Sequence, residues 1–154
     1  MRMTVAAIIV IGMLLPVSLG YSPGSPAYTH VTYMIVHANV FHMLGNLVCW
    51  LWLAPACSRW AFPSAVVAVL CSFIPQLQPA DVTVGFSGVL FAMVGFLLGS
   101  RGLWRNMLAT LALSTAVGIL FTFVSSSGSV CIELHAWCLL LSYTLSRLWY
   151  RQRR

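Results

Sequence analysis

Apolar residues along this chain gather in long runs separated by short clusters of Pro, Gly, Ser and Arg. Six runs stand out, at about residues 3–20, 33–54, 60–74, 87–99, 107–124 and 131–150. A helix needs roughly 20 apolar residues to cross a bilayer, so the pattern predicts six membrane-spanning helices joined by short connections. The fourth run is shorter than a lipid-facing helix requires. A short helix enclosed by longer ones can begin below the membrane surface and leave a wet cavity above it. Tyr21 to Pro26 (YSPGSP) reads as a turn-rich loop, as do the residues before the fourth run (Pro75, Gln76, Gln78, Pro79, Asp81) and the small polar stretch Ser125–Ser129. The first run has two readings. Ser18-Leu19-Gly20 resembles the end of a cleaved signal peptide, but an uncleaved first span fits the rest of the chain better.

Composition narrows the class. The chain has 154 residues, of which 60% are hydrophobic and 6% charged, with a mean hydropathy of +0.93. A soluble domain carries roughly 25% charged residues. An all-α polytopic membrane protein follows, a single domain over residues 1–154 with almost no soluble part. The net charge of +6 comes from arginine alone. With the amino terminus inside, Arg2, Arg59, Arg101, Arg105, Arg147, Arg151, Arg153 and Arg154 all fall on the inner face, and the outer loops hold none. The positive-inside rule then predicts that both termini are cytoplasmic, and it accounts for the basic charge without a nucleic-acid partner. Trp50, Trp52, Trp60, Trp104 and Trp149 fall at the inner interface, as an aromatic belt would. The five cysteines (Cys49, Cys57, Cys71, Cys131, Cys138) have neither metal-ligand spacing nor a disulfide framework and read as small packing residues.

This topology gathers the polar residues in the outer half. His30, His37, His42, Asn46, Ser87 and His135 all lie there, and ionisable groups inside a membrane suggest function. Ser87 opens the fourth run in Gly85-Phe86-Ser87-Gly88, where glycines let another backbone or a substrate approach closely. His42 and Asn46 project from one face of the second span and can donate hydrogen bonds to an oxyanion, or serve as interhelical glue. His135 lies one turn into the sixth span, either as a core histidine or as a base for Ser87. Two small-residue stripes favour the second reading: Gly88, Ala92, Gly95 and Gly99 on the fourth span, and Cys138, Ser142 and Ser146 beside His135. No carboxylate fits as a third member. Glu133 points away from His135 on a helix and better suits the helix start, a role Asp81 can fill for the fourth. A Ser–His dyad is therefore expected, with Phe91 one turn from Ser87 holding the imidazole by stacking.

Together these residues resemble the rhomboid family of intramembrane serine proteases. The resemblance covers about residues 30–145 and rests on His37, His42 and Asn46 in the second span, Gly85, Ser87 and Gly88 at the fourth, and His135 in the sixth. It implies that Ser87 attacks a peptide bond of a transmembrane protein substrate and that His135 is its base. It also implies that His42, Asn46 and the serine's backbone N–H bind the oxyanion. Gly85 would shape the loop beneath that oxyanion, and His37 resembles a position that helps hold the cavity and its water. The family needs no metal or other cofactor; its partners are its substrate and membrane lipid, and its place here would be a bacterial inner membrane. Cys138 and Ser142 stand where glycine is usual, and the first outer loop lacks the long insertion of many bacterial members. That brevity is also similar to the compact rhombosortase branch, which processes carboxy-terminal sorting tails. Two other classes compete. A non-catalytic rhomboid-like adaptor or chaperone usually lacks the serine or the histidine, and this chain keeps both. A metal or haem protein built on His37, His42 and His135 leaves Ser87 unexplained.

Overall fold

The computed structural model describes residues 2–75, 82–100 and 131–152. In chain order it contains α1 (Arg2–Ile11), 3-10 turns at Gly12–Leu14 and Val17–Leu19, a one-turn α2 (Thr29–Thr32), α3 (Val40–Cys57), a 3-10 turn at Ser58–Trp60, α4 (Ala61–Ser72), α5 (Ser87–Gly99) and α6 (Ile132–Arg151). Among the described residues there is no strand, only an isolated antiparallel bridge between Tyr21 and Thr83. The helical run Val40–Ser72 is long and apolar enough to cross a membrane, although Cys57 (φ −140°, ψ 15°) divides it into two arms. Arg2–Leu14 and Ser87–Gly99 are apolar but shorter. The expected fifth run, with Arg101, Trp104, Arg105 and the Ser125–Ser129 loop, lies outside the described residues. So do Gln76, Gln78, Pro79, Asp81, Arg153 and Arg154.

Helix ends depart from the apolar runs for local reasons. α1 stops at Ile11 because Pro16 drives the residue before it, Leu15, into an extended conformation (φ −85°, ψ 144°). The second run does not become helical at Tyr33. α3 begins at Val40, where extended Asn39 accepts a hydrogen bond from the His42 N–H at 2.9 Å. That cap satisfies one of the amides a helix start leaves unpaired. At the other end α3 continues through Pro55 to Cys57 rather than turning at the proline. Replacing Asn39 with Ala is expected to lower stability by about 1 kcal/mol. Thermal unfolding in detergent measures this, and an unchanged midpoint would show that the cap contributes nothing.

Contacts set the helix directions. Arg2 donates to the Pro55 carbonyl at 3.4 Å, and the Trp50 indole donates to the Arg2 carbonyl at 3.0 Å, so α1 starts where α3 ends. The Tyr33 hydroxyl donates to the Ala68 carbonyl at 3.0 Å, which puts the later half of α4 beside the end of α2. Trp50 is fully buried and is therefore a core residue rather than part of an interfacial belt; Trp52 and Trp149 are exposed. All five cysteines are buried. The outward faces of α3 and α4 expose Phe41, Leu44, Val48, Leu51, Phe62 and Leu70, a surface suited to lipid rather than water.

α5 is the central element. It is apolar on every side and buries ten of its residues, among them Gly88, Ala92, Gly95 and Gly99. Among the described elements its main partner is α6. A Cβ on Gly95 would run into the Ser142 hydroxyl and the Leu139 carbonyl, and one on Gly99 would run into the Ser146 side chain. Gly88 faces the Cys138 sulfur, 3.6 Å from where its Cβ would be. The two small-residue stripes thus lie against each other. Serine is tolerated on the α6 face because the hydroxyls bond nearby carbonyls: Ser142 donates to Cys138 at 2.6 Å, and Ser146 donates across the interface to Phe96 at 2.9 Å. Gly95→Ala would press a methyl group onto a backbone carbonyl that cannot turn aside. It is expected to cost about 1–3 kcal/mol by overpacking. An undiminished melting temperature would show that the helices can part there freely.

Candidate active site

The site is built at the start of α5. Gly85 adopts φ +116°, a backbone conformation that L side chains rarely take. Its N–H donates to the Tyr33 carbonyl at 2.8 Å, which ties the loop to the segment leading into α3. A Cβ at Gly85 would sit 2.5 Å from Cε1 and 2.6 Å from Nε2 of His42, and 3.5 Å from Nδ2 of Asn46. The absence of a side chain therefore gives the His42 ring its place. Asn46 also donates from Nδ2 to the His42 carbonyl at 3.0 Å, within its own helix, so the two side chains hold a common edge of α3.

Ser87 is the first residue of α5. The helical ladder begins with Leu90 N–H to the Phe86 carbonyl at 3.2 Å, so the Ser87, Gly88 and Val89 amides stand ahead of that ladder, as the first amides of a helix do. They favour negative charge. Ser87 Oγ lies 2.7 Å from Nε2 of His135, whose chain position is 48 residues away. The Phe91 ring stacks on His135, with centroids 4.5 Å apart and planes 12° from parallel. One face of the imidazole is thereby fixed, and its Nε2 is aimed at the hydroxyl. Glu133 lies in the first turn of α6, where an acidic residue is favoured.

His37 lies ahead of α3, not on it. It is 1% exposed, and neither ring nitrogen has a hydrogen-bond partner among the described residues. Its ring meets that of His42 edge to face, with centroids 5.4 Å apart. The structure therefore brings Ser87, His135 and Phe91 into one cluster. His42, Asn46 and Gly85 form a second, and Gly88 lines the α5–α6 contact. The sequence places His30 in the outer half but gives it no partner: its Nδ1 lies 2.8 Å from the Ser72 hydroxyl, and its ring stacks on Phe73 at 3.8 Å. No motif marks that pairing, because the partners are 42 residues apart.

A hydroxyl on an imidazole nitrogen at the amino end of an enclosed helix is the arrangement a serine hydrolase requires. Here it occurs in an all-helical membrane protein. The Rhomboid domain family model matches residues 25–140, well over half of the chain, which therefore belongs to the rhomboid family. The family is membrane-embedded and consists generally of intramembrane serine proteases, some members being inactive. No curated protein and no solved structure matches the chain.

Proposed function

We propose that this chain is an intramembrane serine endopeptidase that cleaves single-pass transmembrane proteins near the outer membrane face. The observation that supports this most is the 2.7 Å contact between Ser87 Oγ and His135 Nε2. In the proposed reaction Ser87 Oγ attacks the substrate carbonyl while its proton passes to His135 Nε2. The carbonyl oxygen becomes an oxyanion beside His42, Asn46 and the Ser87 N–H. As the peptide C–N bond breaks, His135 returns the proton to the leaving amine, and an acyl-Ser87 ester remains. Water then attacks that ester, with His135 accepting its proton and returning one to Ser87 Oγ. No metal or organic cofactor takes part in this scheme. The substrate helix must unwind into the site, because a helical peptide bond is shielded from attack.

The proposed frame is a single domain of six spans over residues 1–154, in a bacterial inner membrane with both termini cytoplasmic. Fluorophosphonate labelling of the purified protein in detergent tests the reading. Wild type is expected to take the label and Ser87→Ala to refuse it. A folded wild type that neither takes the label nor cuts a transmembrane substrate in liposomes would return the chain to the adaptor class.

A further inference from the structure

The short loop before α3 does more than connect helices. It pairs with the serine loop in three places. Tyr21 and Thr83 exchange two backbone hydrogen bonds, at 2.9 Å and 2.7 Å. The Gly85 N–H donates to the Tyr33 carbonyl at 2.8 Å. Gly20 is pressed so close that a Cβ there would lie 2.5 Å from Cγ1 of both Val82 and Val84. The loop is also stiff within itself. Ser25 Oγ donates to the Ser22 carbonyl at 2.7 Å and lies 2.8 Å from Thr29 Oγ1. Thr32 Oγ1 donates to the Leu19 carbonyl at 2.6 Å.

His30 fastens this loop to the bundle. Its ring lies between Phe73, stacked at 3.8 Å, and Tyr21, tilted at 4.4 Å. The Ser72 hydroxyl donates to the Val69 carbonyl at 2.6 Å, so its oxygen accepts the Nδ1–H of His30 at 2.8 Å. Tyr21 is thus both a wall of the His30 slot and the bridge partner of Thr83, which is four residues before Ser87. We propose that residues 20–33 act as a clasp that sets the serine loop, residues 82–86, and that His30 is the positioning residue that closes it. His30 touches neither substrate nor reacting atoms. It acts through Tyr21 and Thr83 on where Gly85 and Ser87 stand relative to His42 and His135. The catalytic consequence rests on the serine endopeptidase reading, whereas the mechanical coupling does not.

Two readouts on the full-length protein test this. In His30→Ala, kcat on a transmembrane substrate in liposomes is expected to fall about 10-fold or more with KM within about two-fold, since small displacements of reacting groups weaken turnover more than binding. His30→Asn offers an N–H to Ser72 near the place of Nδ1–H and is expected to recover most of that loss. Amide hydrogen exchange is the second readout. The Thr83 and Gly85 N–H groups are expected to exchange about 10-fold faster in His30→Ala, while those within α5 stay protected. Ser72→Ala removes only the hydrogen bond and serves if His30→Ala does not fold. Unchanged exchange at Thr83 and Gly85, or an unchanged kcat in an active folded variant, overturns the clasp. An inactive wild type whose Thr83 and Gly85 exchange still depends on His30 would end the endopeptidase reading and leave the clasp standing.

Discussion

Ser87→Ala and His135→Ala are each expected to lower cleavage of a transmembrane substrate by about 10⁴-fold or more, and the double variant is expected to be scarcely worse than either. The non-additivity follows from the geometry. Ser87 Oγ and His135 Nε2 are 2.7 Å apart, so each depends on the other for proton transfer. Without the imidazole, the hydroxyl must shed its proton to water inside an apolar bundle. Without the hydroxyl, the imidazole has no nucleophile to activate. Phe91 extends the argument, because its stacked ring restrains the imidazole from one face, where a triad carboxylate would instead hold it in plane at Nδ1. Initial rates in liposomes at saturating substrate decide the matter. Substantial activity in either single variant would remove the dyad, and additive losses in the double would show that the two groups work apart.

Gly85→Ala is expected to reduce kcat by about 10²-fold with little change in substrate binding. Two costs coincide at this position. The backbone sits at φ +116°, where an L side chain is strained, and the new Cβ would lie 2.5–2.6 Å from the His42 ring. Relief requires either that the loop shift, carrying Ser87 away from His135, or that the His42 ring leave its place. Both outcomes would damage the proposed oxyanion site, which depends on fixed donors. The rate of fluorophosphonate labelling separates this variant from simple unfolding, since a folded protein with a misplaced donor still reacts, only slowly. Wild-type turnover in Gly85→Ala would mean that the seating of His42 is irrelevant to the chemistry.

Much of the site was legible because its signals are local. Glycines beside Ser87, the four-residue step from His42 to Asn46, and two small-residue stripes are patterns that a helix turns directly into geometry. Gly95 opposite Ser142 and Gly99 opposite Ser146 are what those stripes predict. The features that escaped depend on partners far away in the chain or on single residues inside apolar runs. Asn39 is surrounded by apolar neighbours, so the pattern hides the start of α3 and puts His37 on a helix it precedes. Pro16 ends α1 early inside a run whose apolar character continues. Trp50 resembles an interfacial residue until its indole meets the carbonyl of Arg2, 48 residues earlier. The Tyr21–Thr83 bridge uses backbone groups alone, which leave no trace in side-chain pattern.

The pairing of α5 with α6 has a consequence for biogenesis. The proposed base of Ser87 stands 48 positions further along, and the Ser146–Phe96 bond that anchors the same interface spans 50 positions. Contacts of such separation form late, after the intervening chain has been made and inserted. A ribosome-bound or truncated chain that ends before His135 would carry the proposed nucleophile without its proposed base. On the proposed reading, hydrolytic capacity would arise only at the close of membrane insertion, and an unfinished copy would be inert toward its neighbours in the bilayer.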